Sequence, residues 1–272
     1  MSGRQRSSSS DVRRSSRYGT RGRRGSLAAV GVGVLAVGLL ASGCGNSAED
    51  DTEPEKRSFA FSGRALTVDS DDSALELVAG DVDEVQVTRW FKASVAIGRD
   101  PEISWAMKDG TLKLRVHCAG VVADCSAKHR IVVPRGVALT VKDQDGSVRA
   151  TGFEKGLDIR SGDGSVRVQD VSGALTLRTA DGSVHATGID SRRVDVHTQD
   201  GSARLEFASV PDRVSARGQD GSLTIGLPDA TYRVTTGTKD GSVDVSVPRD
   251  ESSPHVVSAH TQDGKVTVRT AN

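Results

Sequence analysis

Two cysteines, Cys118 and Cys125, are the first residues whose types and spacing suggest chemistry. Six residues separate them, and in an exported chain two such thiols usually pair and close a short loop. His117 and His129 flank the pair, so a zinc site is the alternative. Structural zinc sites place their paired cysteines closer, with about two to four residues between them. We therefore expect a Cys118–Cys125 disulfide and no metal site.

A carboxylate stands before a glycine seven times in the C-terminal half of the chain. These Asp-Gly corners begin at Asp145, Asp163, Asp181, Asp200, Asp220, Asp240 and Asp263. An aspartate there can accept backbone N–H bonds in an Asx-turn while the glycine supplies a positive φ. The alternative is a column of calcium ligands, but calcium-binding nonapeptide repeats carry Gly-Gly-x-Gly-x-Asp, which this chain lacks. We expect structural corners that are at most weak cation candidates.

The sequence carries none of the common enzyme signatures. It has no G-x-S-x-G, no H-E-x-x-H and no phosphate-binding loop, and its six histidines are scattered. The alternative is a carbohydrate-active enzyme, because some β-helix enzymes act on carbohydrates through acids and arginines on one sheet. The charged residues at outward positions that could form such a face are Asp158, Arg160, Arg167, Arg178, Asp195 and Arg204. We expect these to form a solvated face, and we expect no catalytic residue and no cofactor.

The elements that must position these residues are short β-strands. The Asp-Gly corners are spaced 18, 18, 19, 20, 20 and 23 residues apart, and an alternating apolar stretch lies before and after each corner. Alternation with period two is typical of strands with one buried face and one wet face. The fold class is therefore all-β, with repeats of about 18–20 residues.

Two architectures agree with this pattern. In a parallel β-solenoid each repeat is one coil, and each strand pairs with its counterpart in the next coil. In an antiparallel β-meander each Asp-Gly is a hairpin turn, which is its favoured use. Like residues recur at the same place in each period, including Ser161, Thr179 and Thr198 two positions before Asp. Stacked coils place like residues over like, so the solenoid is favoured and the meander is the alternative.

Residues 58–272 form a single predicted solenoid domain with two parts. Residues 141–272 hold the regular Asp-Gly-Ser repeats. Residues 58–140 alternate in the same way but less regularly, and they hold most of the aromatic residues. A solenoid needs its first coil covered against edge pairing. We therefore expect residues 58–140 to form atypical coils and a cap.

The N-terminus has the pattern of an export signal. Residues 1–26 are basic, and residues 27–41 form an apolar run that is short for a membrane span. The run ends in LASGC, a lipobox-like sequence whose last residue is Cys44. We expect residues 1–43 to be a lipoprotein signal peptide, Cys44 to be lipidated, and residues 44–57 to be an acidic flexible tether. Arg23-Arg24 leaves the Sec and twin-arginine export routes open.

The charge distribution excludes one class of partner. Residues 1–43 contribute eight Arg and one Asp, or +7, to a chain whose net charge is zero, which leaves −7 on the remainder. A nucleic-acid-binding domain needs a basic footprint of its own. We therefore expect no nucleic-acid partner, and we expect the membrane to be contacted through the lipid anchor.

A lipobox, a short Cys-x6-Cys loop and the repeated pattern L-x-I-x-T-x-D-G-S-V-x-V together resemble the bacterial DUF4097 family of adhesin-like proteins. The resemblance covers roughly residues 60–270. It implies a parallel β-solenoid on the cell surface and carries no catalytic residues with it. We expect a non-enzymatic, adhesin-like lipoprotein at the outer face of the cell membrane, which binds or scaffolds cell-wall glycan or envelope protein. A carbohydrate-active enzyme and an envelope-stress accessory protein are the alternatives.

Overall fold

Strands account for most of residues 47–271, which are the residues that the computed structural model describes. Within this range a 3₁₀ turn at Ala48–Asp50 precedes 19 strands. The first nine are β1 (Glu55–Ala60), β2 (Ala65–Ser70), β3 (Ser73–Gly80), β4 (Glu84–Gly98), β5 (Glu102–Lys108), β6 (Thr111–His117), β7 (Gly120–Pro134), β8 (Ala138–Asp143) and β9 (Val148–Thr151). The others are β10 (Leu157–Ser161), β11 (Val166–Val171), β12 (Leu175–Thr179), β13 (Val184–Ile189), β14 (Arg193–Thr198), β15 (Ala203–Phe207), β16 (Arg213–Arg217), β17 (Leu223–Leu227), β18 (Arg233–Val245) and β19 (Val256–Thr270).

The regular repeats pair in parallel, coil upon coil. Strand β10 pairs with β8 and β12, and Leu157 lies beside Leu139 on one side and Leu175 on the other. Strand β11 pairs with β9 and β13 in the same way. An Asp-Gly corner joins the two strands of each coil, and those two strands do not pair with each other. The parallel β-solenoid is thus confirmed, and the antiparallel meander is wrong for the repeats.

Two sheets enclose one thin core. The first sheet holds β5, β6, β2, β8, β10, β12, β14 and β16, and the second sheet holds β1, β4, β7, β3, β9, β11, β13, β15 and β17. The long strands β18 and β19 run through both sheets. Inward positions are buried Val, Leu, Ile and Ala from both sheets, which form a single apolar cluster. Stacked strands lie about 4.8 Å apart, so each side chain has a counterpart one coil away.

The order of the coils in space departs from their order in the chain at both ends. Strand β19 pairs with β16 and β17 on one side and with β18 on the other, so the last segment of the chain lies inside β18. At the other end, β2 lies between β6 and β8, and β3 lies between β7 and β9. Strands β4–β7, which follow β3 in the chain, thus lie on the outer side of β2 and β3, away from the repeats.

Antiparallel strands cover the N-terminal end of the stack. Strand β5 pairs antiparallel with β6, and β4 pairs antiparallel with both β7 and β1. Asp109 and Gly110 join β5 to β6, and both have positive φ, at 50° and 71°. These angles suit a two-residue hairpin turn. The hairpin use of Asp-Gly therefore occurs in the chain, but in the cap and not in the repeats.

Residues 48–57 differ from the expected flexible tether. The N–H of Ala48 donates to Ser126 Oγ at 3.1 Å, and the N–H of Phe91 donates to Asp51 Oδ2 at 3.1 Å. Strand β1 begins at Glu55 and pairs with β4. These contacts fasten the acidic segment to the cap. The predicted signal peptide (residues 1–43) and the predicted lipidation site, Cys44, lie outside the described residues.

Candidate binding surface

The glycines of the Asp-Gly corners form a column in which backbone touches backbone. A Cβ added to Gly164 would overlap the carbonyl oxygen of Gly146 in the preceding coil, and Gly182 has the same relation to Gly164. The expectation that glycine supplies a positive φ holds only in the last coils, at Gly221, Gly241 and Gly264. Elsewhere in the column glycine is required because the neighbouring carbonyl occupies the place of a side chain.

Buried hydroxyl groups support the corners from inside. Two positions before the corner aspartates, Thr179 donates to the carbonyl of Gly182 at 3.1 Å, and Ser161 donates to that of Gly164 at 3.4 Å. Thr261 reaches the carbonyl of Gln219 at 2.8 Å. The hydroxyl of Thr198 is buried and has no hydrogen-bond partner in the described chain. Ser161 and Thr179 therefore hold the carbonyls of corner glycines. The carbonyl of Gln219 differs, because it also accepts from the N–H groups of Gln262 and Asp263.

The corner aspartates point to solvent in an exposed column. Among them Asp220 has a raised pKa because it is partly desolvated and lies between Asp263 and Asp200. Within residues 47–271, no three His, Cys, Asp or Glu side chains are grouped so that they could hold a metal ion. Each of the first five of these aspartates lies between two consecutive strands, where the chain turns.

Asp143 replaces the hydroxyl residue in the first regular coil. It lies beside Ser70 and Ser161 in the register and is only 6% exposed. Burial raises the pKa of Asp143 to about 7; the Ser70 hydroxyl and the Gly146 N–H oppose this, and Asp145 and Asp72 add to it. A raised pKa favours the protonated form in the folded state, so the stability that Asp143 contributes is lost as pH rises from about 4 to about 7.

Cys118 and Cys125 form a disulfide, with Cα atoms 6.5 Å apart. It lies at the base of a two-stranded arm, because β7 pairs with β3 only from Ala127 onward and otherwise pairs with β4 alone. His129 is buried, 1% exposed, and its ring centroid lies 6.5 Å from that of Trp105. The histidines that the zinc alternative requires are therefore split, with His117 exposed and His129 inside the cap.

The outer face of the first sheet carries a basic column with built-in acids. Arg160, Arg178, His197 and Arg217 lie in register on successive coils. Asp158 and Asp195 lie in the adjacent column, and Arg178 reaches them at 3.8 Å and 3.7 Å. This column is thus a largely neutralised salt-bridge ladder, as expected for a solvated face.

The outer face of the second sheet carries a different column. Arg149, Arg167, His185 and Arg204 lie in register and are all exposed. Arg204 pairs with Glu206 at 2.9 Å, and Arg269 also contacts Glu206. In the described part of the chain, no acidic side chain forms an ion pair with Arg149 or Arg167. We call these four residues the second-sheet basic column.

A column of serines runs beside the second-sheet basic column. These are the residues that follow the first five Asp-Gly corners, namely Ser147, Ser165, Ser183, Ser202 and Ser222. Together the two columns line a shallow depression of about 450 Å³, with Arg167, His185 and Arg204 on one side and Ser183, Ser202 and Ser222 on the other. The second sheet thus offers hydroxyls and cations on one flat surface.

Sequence reasoning placed Arg167 and Arg204 in one mixed group with Asp158, Arg160, Arg178 and Asp195, and that grouping is wrong. The structure puts the first pair on the second sheet and the other four residues on the first. Arg149 and His185 were missed as members of the column. The signal was present, since all four column residues stand four positions after a corner aspartate.

The chain is similar to one protein family and to several solved structures. The Toastrack DUF4097 family model matches residues 63–272, and no curated protein matches the chain. A candidate adhesin from Bacteroides fragilis shares 15% identity, with 84% of this chain and 100% of that chain covered and a TM-score of 0.47. A candidate adhesin from Parabacteroides merdae shares 10%, covering 82% and 98%, with a TM-score of 0.42. A candidate cell adhesion protein from Clostridium sporogenes shares 10%, covering 80% and 100%, with a TM-score of 0.33.

No helix within residues 47–271 is long and apolar enough to cross a membrane. The family match covers well over half of the chain and includes every Asp-Gly corner, the disulfide and the second-sheet basic column. The chain therefore belongs to the DUF4097 (Toastrack) family.

Proposed function

We propose that this chain is a non-enzymatic, adhesin-like binding or scaffolding module of the cell envelope. The observation that carries the proposal is the second sheet, where residues of one type recur at the same place on successive coils. A rigid surface with such a repeat presents equal contacts at equal spacing, which suits a partner that is itself repetitive. Similar structures are described as candidate adhesins, in keeping with this role.

Anchoring is the second part of the proposal. A lipid on Cys44 would hold the chain at the outer face of the cell membrane, with the cap nearer the anchor than the repeats in chain order. Two or more acyl chains give stable attachment, whereas one gives only marginal attachment. Mass spectrometry of the protein from membranes should show a diacylglyceryl group on Cys44. A soluble, unmodified protein would contradict the anchor.

Binding and catalysis are separated by one paired experiment. The purified chain is applied to a glycan array and to isolated cell envelopes, and the same glycans are assayed for release of reducing sugar. We expect retention on envelopes or on at least one glycan class without release of sugar. Sustained release of sugar would contradict the binding module and favour a carbohydrate-active enzyme. Absence of any retention would contradict the proposal outright.

A further inference from the structure

The second-sheet basic column places like charges side by side. Adjacent strands put Arg149 beside Arg167, and Arg167 beside His185. Like charges directly opposite each other in a sheet are destabilising, and sheets usually set opposite charges there. The first sheet also sets Arg160 beside Arg178, but Asp158 of the adjacent column pairs with both of them. Among the described residues Arg149 and Arg167 have no acidic ion-pair partner, so the second-sheet basic column keeps a repulsion that a bound anion would relieve.

Hydrogen-bond donors stand beside the charges. The guanidinium of Arg167 donates to Ser165 Oγ at 3.1 Å, and the N–H of Ser222 donates to Ser202 Oγ at 3.2 Å. The other serines of this column are exposed or half-buried. Arginine with hydroxyl and N–H donors is the set that carboxylate and phosphate oxygens accept from. The surface therefore has the donors of an anion site on each coil.

The corner aspartates do not neutralise the positive charge of the second-sheet basic column. Each column residue stands four positions after its corner aspartate, and the chain turns between the two. Within residues 47–271 no corner aspartate forms an ion pair with a residue of this column. The column thus stays locally positive on a domain of net negative charge.

We propose that the second-sheet basic column binds a linear polyanion that runs along the stack, across the strands, with one carboxylate or phosphate on each repeat unit. Strands stacked about 4.8 Å apart set the spacing of the anions it accepts. Glu76 lies beside Arg149 at one end of the column, and Glu206 pairs with Arg204 at the other. The column therefore takes three or four anionic groups, about 14 Å of polymer. This inference rests on the proposed function and names its ligand class.

The test uses residues 47–271, the described part of the chain, which contains every strand named above. Binding is measured by calorimetry against polygalacturonate, against poly(glycerol phosphate) and against neutral dextran. These probes separate a carboxylate source from a phosphate source. We expect at least one polyanion to bind and dextran not to bind. When cationic side chains of the protein bind the polyanion, they displace counterions from it. The affinity should therefore fall about tenfold between 50 mM and 200 mM salt.

Variants then locate the site. Arg149→Ser with Arg167→Ser should weaken binding at least tenfold, whereas Arg160→Ser with Arg178→Ser, an equal charge change on the first sheet, should change it less than twofold. His185→Arg should strengthen binding about threefold, which a loss of folding cannot imitate. All of these positions are partly or fully exposed, and thermal melts would verify that each variant folds.

Three outcomes would overturn the inference. They are equal losses of binding in the two double variants, binding of neither polyanion, and binding of dextran as tight as that of either polyanion. Retention on envelopes without polyanion binding would overturn this inference and leave the binding module intact. Loss of both would overturn the proposed function as well.

Discussion

Glycine is required throughout the corner column by a neighbouring carbonyl, and only in the last coils is its φ also positive. Asp-Gly signals a turn in any sequence, and the local signal alone favours a hairpin. The structure shows one such hairpin, at Asp109-Gly110, where φ is positive. In the repeats the same dipeptide meets the oxygen of its counterpart one coil away. A contact 18 to 20 positions distant is not written in the dipeptide, so only its recurrence could predict the coil.

Gly182→Ala tests this contact. The added Cβ would overlap the carbonyl oxygen of Gly164, so two coils must separate locally. We expect a loss of about 2 kcal/mol in the free energy of unfolding, as for overpacking in a core. Gly156→Ala is the matched control, because its Cβ would have nothing closer than 4.0 Å. It should be neutral or stabilising by about 0.5 kcal/mol. Denaturant titration measures both, and equal effects would contradict the column.

Thr179 and Thr198 form a second matched pair. Both are buried at the same place in adjacent coils, but only the hydroxyl of Thr179 has a partner, the carbonyl of Gly182. Thr179→Val should cost about 1 kcal/mol, because a buried carbonyl loses its donor. Thr198→Val removes an unpaired buried hydroxyl and should be neutral or stabilising. Chemical denaturation of the two variants side by side would decide, and a larger loss at position 198 would reject the role assigned to Thr179.

The cap is the element whose chemistry depends most on pH. Burial, with the charge of Arg89 adding to it, lowers the pKa of His129 to about 4. Arg89 lies over the ring of Trp105, 4.3 Å from its centroid, and pairs with Glu55 at 2.6 Å. A proton on His129 would therefore enter a buried site next to a cation. Strands β1, β4, β5 and β7 meet around this group.

Acid should destabilise the cap through His129. An ordinary histidine has a pKa near 6.5, so between about pH 6.5 and 4 the unfolded state takes up a proton that the folded state refuses. Stability is then lost as pH falls, by about 2–3 kcal/mol in all. Both tryptophans, Trp90 and Trp105, lie in cap strands, so their fluorescence reports on this element. Asp143 acts in the opposite direction over this range, so the contribution of His129 is read against the His129→Gln variant. The melting temperature of the unsubstituted chain, followed by fluorescence, should fall relative to that of the variant between pH 7 and pH 4.5.

The control for this prediction lies on the second sheet. His129→Gln should remove the acid destabilisation of the cap transition, whereas His185→Gln should leave it in place because His185 is exposed. A pH profile that survives His129→Gln would assign the acid sensitivity to another group.

The sequence predicted the coils well and the ends poorly. Alternation and period identify each coil of the regular repeats, because both are local to the chain. The place of β19 inside β18 depends on which edge the last segment meets, and nothing in residues 256–270 differs in kind from an ordinary repeat. The second-sheet basic column was predictable from its constant offset to Asp. The lack of acidic ion-pair partners for Arg149 and Arg167 among the described residues was not predictable, because ion pairing depends on the side chains in the neighbouring columns.

At the scale of the whole molecule, stability should follow spatial order and not chain order. In a solenoid each coil gains from its two neighbours, so an end coil with one neighbour opens first. Among the described strands, β18 is bonded to β19 on one side only, whereas β19 is bonded on both sides. On one side the N–H of Val256 donates to the carbonyl of Asp212, and on the other the N–H of Ser246 donates to the carbonyl of Val268. The segment that ends the chain is therefore an inner coil.

Hydrogen exchange distinguishes the two orders. If chain ends fray first, amides of β19 should exchange faster than those of β18. The pairing gives the reverse: β18 should exchange through local opening, β19 should be more protected, and β10–β13 should exchange only with global unfolding. Peptides covering Arg233–Val245 and Val256–Thr270 can be compared in one experiment, since neither strand holds a proline. Faster exchange in β19 than in β18 would show that the last segment does not lie inside the stack, because a strand bonded on both sides must break twice as many ladders to open.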